Sequence, residues 1–166
     1  MIFKQIPEIL SGAKWQTRRV VKPGEGMYEA SLALTAAGNV KWAVGKTYAV
    51  VPKRGKPSVW WKRVGTVALT HNGMHEYHYP SNPDAAAIAL PVTRAELEKR
   101  GFQPLRIRIT AIRQERLQDI TEADAKAEGV SSKGEYAKLW NRINKRKGTR
   151  WSDNPMVWVI SFEVAK

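Results

Sequence analysis

The chain has 166 residues, of which 43% are hydrophobic, and its 28 lysines and arginines outnumber 15 aspartates and glutamates, giving a net charge of +13. This composition excludes a disordered chain and allows one ordinary domain with its own core. The absence of cysteine excludes disulfides, thiolate metal ligands and a cysteine nucleophile, while the excess positive charge indicates a polyanionic partner, nucleic acid before an anionic membrane surface.

The first predicted elements are short. A helix ends at Gly12, a residue type that readily closes a helix. A strand covers Thr47–Pro52 and stops at its proline. Residues 53–103 are rich in glycine, proline, basic and aromatic residues, and they contain too few apolar residues for a core of their own. We therefore interpret them as an insertion, with one strand within Val59–Leu69 and a helix within Thr93–Gly101.

The second half of the chain has clearer patterns. In Leu105–Ile112, apolar residues alternate with arginine and threonine, which predicts a strand with one buried face. Thr121 is a typical N-cap, and Gly129 is a typical residue to end the helix that follows it. A further helix with one apolar face begins after Ser132. The nearly continuous apolar run Met156–Val164 predicts a central strand.

These elements predict an α+β fold, a small mixed β-barrel flanked by short helices. We expect a single domain over residues 1–166, with insertions near 22–42 and 53–103. A doubly wound sheet is not expected because no repeated βαβ pattern is present. The chain contains no apolar run near the ~20 residues that cross a bilayer and no apolar segment typical of a signal peptide, so we expect a cytoplasmic protein without membrane contact.

A lysine, a hydroxyl and a guanidinium are predicted to converge after the first helix. An extended backbone there places Trp15, Thr17 and Arg19 on one face. The long side chain of Lys14 can curl over the same face. These groups can bind a phosphate or a carbonyl, or activate Thr17 as a nucleophile if Lys14 loses its proton. A basic surface strand with solvated charges is the alternative, and the spacing alone favours it.

Glu128 is a further candidate. It stands at the end of a predicted helix, just before Gly129, where the helix dipole disfavours a carboxylate. This mismatch predicts a role outside the helix, such as pairing with Lys14 or donating a proton. A solvated glutamate is the common alternative at helix ends.

Three blocks of the sequence resemble the ASCH domain family. The first is the motif G-x-K-x-x-T-x-R of residues 12–19, the second is the alanine-rich stretch Ile120–Gly129 that ends in Glu-Gly, and the third is Trp158–Glu163. Their order and spacing match the family over roughly half of the chain. The Thr-Arg-Arg form and the closing strand are especially similar to ASCH proteins of phages and prophages.

The resemblance implies a PUA-like β-barrel related to RNA-binding domains. Some small family members are amidohydrolases that remove the acyl group from N4-acetylcytidine. Carried over residue by residue, the resemblance implies catalytic roles for Lys14, Thr17 and Glu128, and the site is expected to bind substrate through Arg19 and Trp15. It implies neither a cofactor nor a metal.

The implied mechanism begins with proton transfer from Thr17 to Lys14. The Thr17 oxygen then attacks the acyl carbonyl, and Lys14 or Arg19 stabilises the oxyanion. Glu128 orients Lys14 and helps to protonate the leaving amino group of cytosine. In an alternative that the sequence leaves open, Lys14 activates a water molecule directly and Thr17 only provides a hydrogen bond.

Other features carry weaker hypotheses. His71, His75 and His78 would share a helical face able to ligate zinc, but neighbouring turn-forming residues favour a loop. The segment Lys145–Arg150 is either a phosphate-binding loop or a solvated one. Tryptophans beside basic residues are candidates for base stacking, with core packing as the alternative: Trp60, Trp61 and Trp151.

Two functions from other classes remain open beside the amidohydrolase. One is an RNA-binding module that uses the basic surface without chemistry, and the other is a ribonuclease. The net charge of +13 favours both, because a free nucleoside is uncharged and needs no broad basic surface. The intact set of Lys14, Thr17 and Glu128 favours the enzyme.

Overall fold

The computed structural model describes residues 1, 3, 5–51, 59–61, 67–70, 76–78, 94–99 and 101–165. The chain divides into two compact units, which we describe separately. The first unit contains Met1–Leu10, Thr47–Ile107 and Val164–Lys166, and the second contains Ser11–Lys46 and Arg108–Glu163. Among the helices in the described ranges, none has the length and apolar character that a membrane span requires.

The helices and strands of the described residues are short, apart from two long strands and one helix. The helices are α1 (Ile6–Leu10), α2 (Arg94–Lys99), α3 (Glu122–Ala127) and α4 (Lys133–Ile143). The strands are β1 (Gln16–Val20), β2 (Gly26–Tyr28), β3 (Leu32–Leu34), β4 (Val40–Ala43), β5 (Thr47–Ala49), β6 (Val59–Trp61), β7 (Val67–Thr70), β8 (Glu76–His78), β9 (Gln103–Pro104), β10 (Arg106–Arg116) and β11 (Met156–Val164).

The first unit contains a sheet with the strand order β8-β7-β6-β9. The single strand predicted within Val59–Leu69 is in fact parts of two strands, β6 and β7, which pair antiparallel with Trp60 opposite Leu69. Trp60 is 5% exposed, so its ring belongs to the core rather than to a stacking surface. The predicted helix before Gly101 is present as α2. Gly101 has φ +78° and donates its N–H to the Glu98 carbonyl at 2.9 Å, which closes that helix.

The second unit is built on β11, which has the bounds predicted from its apolar run. It lies between β1 and β10, and residues 157–162 are all buried. A strand that is covered by protein on both faces carries apolar side chains on both, so its sequence does not alternate between apolar and polar residues. β1 is antiparallel to β11, with Thr17 opposite Ile160. The predicted alternation in β10 is confirmed, since Ile107 and Ile109 are buried while Arg106 and Arg108 are exposed.

The capping signals of α3 act as predicted. The Thr121 hydroxyl accepts the N–H of Asp124 at 3.0 Å, and the Asp124 carboxylate accepts the backbone N–H of Thr121 in return. At the other end Gly129 has φ +83°, and Val130 donates to the Ala125 carbonyl at 3.2 Å. α3 and α4 cover a hydrophobic core formed by Leu117, Ile120, Ala125, Tyr136, Trp140, Val157 and Val159.

The region near residues 22–42 folds into an antiparallel sheet with the order β2-β3-β4. These strands are not predictable from the sequence pattern because each has only three or four residues, too few for a visible alternation. Trp42 meets Trp158 edge to face, with ring centroids 6.0 Å apart, and the Trp158 indole donates to Glu25 at 3.0 Å. The protein is therefore a small α+β fold of antiparallel sheets and short helices, as predicted at that level.

Candidate active site

Lys14 and Glu128 form a buried ion pair in the second unit. The Lys14 Nζ donates to Glu128 Oε2 at 2.7 Å and to the Glu128 backbone carbonyl, also at 2.7 Å. Each of the two side chains is only 4% exposed. Burying both charges has a desolvation cost, so close contacts of this kind are needed to keep the pair stable.

The backbone brings the two residues together. Lys14 and Glu128 form an isolated antiparallel bridge, and the next residue, Trp15, donates its N–H to the Ala127 carbonyl at 3.0 Å. Glu128 is the C-cap of α3, where the last carbonyls of a helix lack partners within it. The Lys14 ammonium satisfies one of them and offsets the negative end of the helix dipole. A glutamate is tolerated at this unfavourable position because a lysine lies against it.

Arg18 connects Glu128 to two further carboxylates. Its Nη1 lies 3.4 Å from Glu128 Oε1, its Nη2 lies 2.7 Å from Glu115 Oε1, and the same Nη2 lies 3.2 Å from Asp124 Oδ2. The Arg18 side chain is 0% exposed. Burial alone would lower the pKa of Arg18, but the hydrogen bond to Glu115 and the charge of Glu128 outweigh it, and the pKa is raised. Arg113 pairs with the outer sides of Glu115 and Asp124 at 3.0 and 3.4 Å.

We call this group the ion cluster, in which three cations face three carboxylates: Lys14, Arg18, Arg113, Glu115, Asp124 and Glu128. Arg113 is its exposed edge, with 46% of the side chain accessible. The cluster is built by β1, β10 and α3 together with the residues next to them. Its charges balance without any residue from outside the second unit.

Two neutral side chains contact members of the ion cluster. The Tyr136 hydroxyl of α4 donates to Glu128 Oε1 at 3.3 Å, and Gln16 Oε1 accepts from Arg18 Nη1 at 2.7 Å. Burial, followed by the negative charge of Glu128, raises the pKa of Tyr136 well above its ordinary value. The hydroxyl therefore keeps its proton near neutral pH and remains a donor to Glu128.

Thr17 lies between these residues on β1 but has a different environment. The residue is 2% exposed and lies opposite Ile160 of β11. Its hydroxyl is a potential nucleophile on the strand that also carries Gln16 and Arg18.

The two predicted substrate-binding residues, Trp15 and Arg19, do not belong to the ion cluster. Trp15 is 50% exposed, so it is not a core anchor. Arg19 is half-buried, and its Nη1 donates to the Arg18 carbonyl at 3.3 Å. Burial lowers the pKa of Arg19, and the charge of Glu128 offsets part of this effect. Arg19 thus lies within electrostatic reach of Glu128, whereas the direct contact belongs to Arg18.

Five residues of the site were not predicted from the sequence: Gln16, Arg18, Glu115, Asp124 and Tyr136. The prediction gave the extended segment after the first helix a single functional face. In the structure the consecutive residues 16–18 are all buried, so both faces of β1 contact protein there. The doubled arginine was the available signal, because a buried strand that carries Arg18 next to Arg19 needs nearby carboxylates.

The other functional hypotheses have mixed outcomes. His71 and His75 lie outside the described residues, and His78 is in β8. Within the ranges that the structure describes, no group of histidine, aspartate and glutamate side chains is arranged to hold a metal ion. Trp151 is half-buried and meets the Tyr136 ring at 6.4 Å, so it contributes to packing. In the segment Lys145–Arg150, the lysines and arginines are all exposed.

The site is thus a buried lysine–glutamate pair beside the strand that carries Thr17, in a small α+β protein. No family model and no curated protein matches the chain. Among solved structures, it is similar to the crystal structure of protein EF3133 from Enterococcus faecalis V583, described with family DUF984. The TM-score is 0.45 and the sequence identity 15%, over 96% of this chain and 68% of that one.

Proposed function

We propose that the protein is an amidohydrolase that removes the acyl group from N4-acylated cytidine. The observation that carries the proposal is the buried ion pair of Lys14 and Glu128, 2.7 Å between Nζ and Oε2, with Thr17 three residues after Lys14 along the chain. Acyl transfer needs a nucleophile, a group that accepts and returns its proton, and a charge that stabilises an oxyanion. The likeness of the three sequence blocks to the ASCH family supports the substrate class and a PUA-like barrel.

The proposed chemistry assigns each step to one of these residues. The Thr17 oxygen attacks the acyl carbon, and its proton passes to the Lys14–Glu128 pair. The ammonium of Lys14 stabilises the oxyanion that forms. The carbon–nitrogen bond breaks as the pair returns the proton to the N4 amine of cytidine. Water then hydrolyses the ester on Thr17, which yields the carboxylic acid and restores the hydroxyl. In the alternative sequence, the same pair activates a water that attacks the acyl carbon directly.

Trp15 and Arg19 are proposed to hold the substrate. The half-exposed indole of Trp15 offers a flat apolar surface beside Lys14, and such surfaces stack on nucleic-acid bases. Arg19 supplies a second cation close to Glu128. Replacing Trp15 with alanine is expected to raise KM roughly tenfold, since stacking on one base contributes about 1–3 kcal/mol. The stability should hardly change, because half of the ring already lies in solvent.

The test is ultraviolet-monitored hydrolysis of N4-acetylcytidine by the wild type and by Lys14→Ala, Thr17→Val and Glu128→Gln. Thr17→Val keeps the buried shape and removes only a hydroxyl, so this variant should fold. We expect the wild type to turn over, with losses on the order of 10²–10⁴-fold for Lys14→Ala and Glu128→Gln.

The Thr17→Val variant distinguishes the two mechanisms, attack by the Thr17 oxygen and direct attack by water. A loss as large as that of Glu128→Gln identifies Thr17 as the nucleophile, and a loss below about tenfold leaves direct attack by water. If the wild type is inert toward N4-acetylcytidine and longer N4-acyl substrates, the amidohydrolase proposal is rejected. The RNA-binding module and the ribonuclease would then be tested by RNA binding and cleavage.

A further inference from the structure

Among the described residues, the side chains of five cations at the end of α4 and in the loop after it form no ion pair; the Asp153 carboxylate accepts only the backbone N–H of Arg150, at 2.9 Å. We call Arg142–Arg150 the basic segment; its cations are Arg142, Lys145, Arg146, Lys147 and Arg150. All five are exposed, and none forms an ion pair within the part of the chain that the structure describes. Earlier on the same helix, by contrast, Lys138 pairs with Glu135 at 3.1 Å. The basic segment thus concentrates unbalanced positive charge at one place.

The helix dipole explains only part of this charge. Cations near a helix C-terminus are stabilising, and Arg142 lies in the last turn of α4. The effect fades beyond that turn, however, and the chain has left the helix before Lys147 and Arg150. Like charges placed close together without partners oppose compact folding. An anionic ligand bound at this place would balance these charges.

The backbone of the basic segment is held in place. The Trp140 indole donates to the Thr149 carbonyl at 2.8 Å, and the Trp151 N–H donates to the Asn141 side chain at 2.8 Å. The Thr149 hydroxyl donates to the Arg146 carbonyl at 2.9 Å. Cations presented by an ordered loop lose less entropy when they bind than cations on a free chain.

The basic segment begins close to the candidate active site. Tyr136, whose hydroxyl contacts Glu128, lies six residues before Arg142 on the same helix. At about 1.5 Å per residue this is about 9 Å along the helix axis. A stacked nucleic-acid strand presents a phosphate about every 3.4 Å, so this distance corresponds to a few nucleotides.

We propose that the basic segment binds the phosphates of a single-stranded RNA whose acylated cytosine occupies the Lys14–Glu128 site. The placement of the acylated cytosine in the Lys14–Glu128 site rests on the proposed function. The placement of the RNA phosphates on the basic segment rests on the unpaired cations of that segment. RNA is favoured over an anionic membrane because residues 144–150 contain no apolar side chain that could insert between lipids. The substrate is then an RNA rather than a free nucleoside.

The test compares two variants that lose the same charge. One carries Lys145→Gln, Arg146→Gln and Lys147→Gln, and the control carries Lys22→Gln, Lys46→Gln and Lys99→Gln, three exposed lysines from elsewhere in the chain. The affinity for a short single-stranded RNA containing one N4-acetylcytidine is measured over a range of salt concentrations. Each contact with a phosphate of a single strand adds about 0.7 to the slope of log K against log salt.

We expect the first variant to bind RNA roughly tenfold more weakly or worse, with a slope lower by about 2 than that of the wild type. Its thermal stability and its hydrolysis of free N4-acetylcytidine should stay at the wild-type level. The control variant should keep the wild-type slope. The KM for the modified RNA should rise only in the first variant.

Equal RNA affinity and slope in the two variants would overturn the basic segment as the binding surface. So would tight binding to phosphatidylserine vesicles together with no binding to RNA. The salt slope counts contacts with phosphates whether or not the base is hydrolysed, so it is independent of the proposed function. A wild type that binds RNA through this segment but hydrolyses neither the nucleoside nor the modified RNA would sustain the surface and reject the amidohydrolase.

Discussion

The ion cluster and the basic segment use positive charge in opposite ways. In the ion cluster three cations face three carboxylates, and the Lys14, Arg18 and Glu128 side chains are at most 4% exposed. In the basic segment five cations are exposed, and their side chains form no ion pair with the residues that the structure describes. The comparison teaches that net charge is a poor guide to function until the paired charges are separated from the unpaired ones.

The two regions also differ in what a substitution should cost. Removing one member of a buried ion pair leaves its partner charged and desolvated, which is strongly destabilising. Removing one of several exposed like charges relieves repulsion and leaves no buried group unpaired. Stability should therefore depend on the ion cluster, and affinity for a polyanion on the basic segment.

The largest expected effect is that of Arg18→Met. This change leaves Glu115, Asp124 and Glu128 without their shared cation, so we expect a loss of about 3–5 kcal/mol in the free energy of unfolding. Denaturant unfolding measures it. The matched change in the basic segment, Arg146→Met, should stay within about 0.5 kcal/mol of the wild type. Similar losses of unfolding free energy for the two variants would contradict the claim that stability depends on the ion cluster and not on the basic segment.

A smaller effect is expected for Tyr136→Phe, which removes only the hydroxyl that donates to Glu128 at 3.3 Å. A hydrogen bond to a charged group contributes about 1.5–3 kcal/mol, and the ring packing is kept. The control is Tyr28→Phe, whose side chain is 57% exposed and should tolerate the change without measurable loss. If both variants unfold at the same denaturant concentration, the hydroxyl of Tyr136 does not stabilise the ion cluster.

The smallest effect concerns pH. Burial alone would raise the pKa of Asp124, but hydrogen bonds from Thr121 and the charges of Arg18 and Arg113 lower it below its ordinary value. A carboxyl group with a lowered folded-state pKa adds stability above its unfolded pKa, about 3.9, and this stability is lost as the pH falls through the folded value.

The wild type should therefore lose stability on acidification below about pH 4, and Asp124→Asn should lose less over the same interval. Unfolding free energies measured across that range test this expectation. A variant whose stability falls as steeply as that of the wild type would show that Asp124 does not contribute to the acid sensitivity.

The sequence predicted well the elements that carry a strong local signal. β11 has the predicted bounds because a long apolar run is unambiguous, and Thr121 and Gly129 cap α3 because their preferences are local. The strands within residues 22–42 were missed because they are too short to show a period. Their pairing depends on contacts distant in sequence, which no local pattern records.

The candidate site was predicted in the same uneven way. The contact between Lys14 and Glu128 was anticipated from a carboxylate at an unfavourable helix end. The role of Arg18 was not anticipated. Alternation along the strand places Arg18 on the face opposite to Thr17 and Arg19, and β1 is buried on both faces. The catalytic roles of Lys14, Thr17 and Glu128 remain proposals.

The most direct test of the account compares Glu128→Gln with Glu115→Gln in the hydrolysis of N4-acetylcytidine. Both residues contact Arg18, and both changes remove one negative charge, but only Glu128 contacts Lys14. We predict a loss on the order of 10²–10⁴-fold for Glu128→Gln and about tenfold or less for Glu115→Gln. Equal losses would contradict the account, because the pair of Lys14 and Glu128 would then have no special part in the reaction.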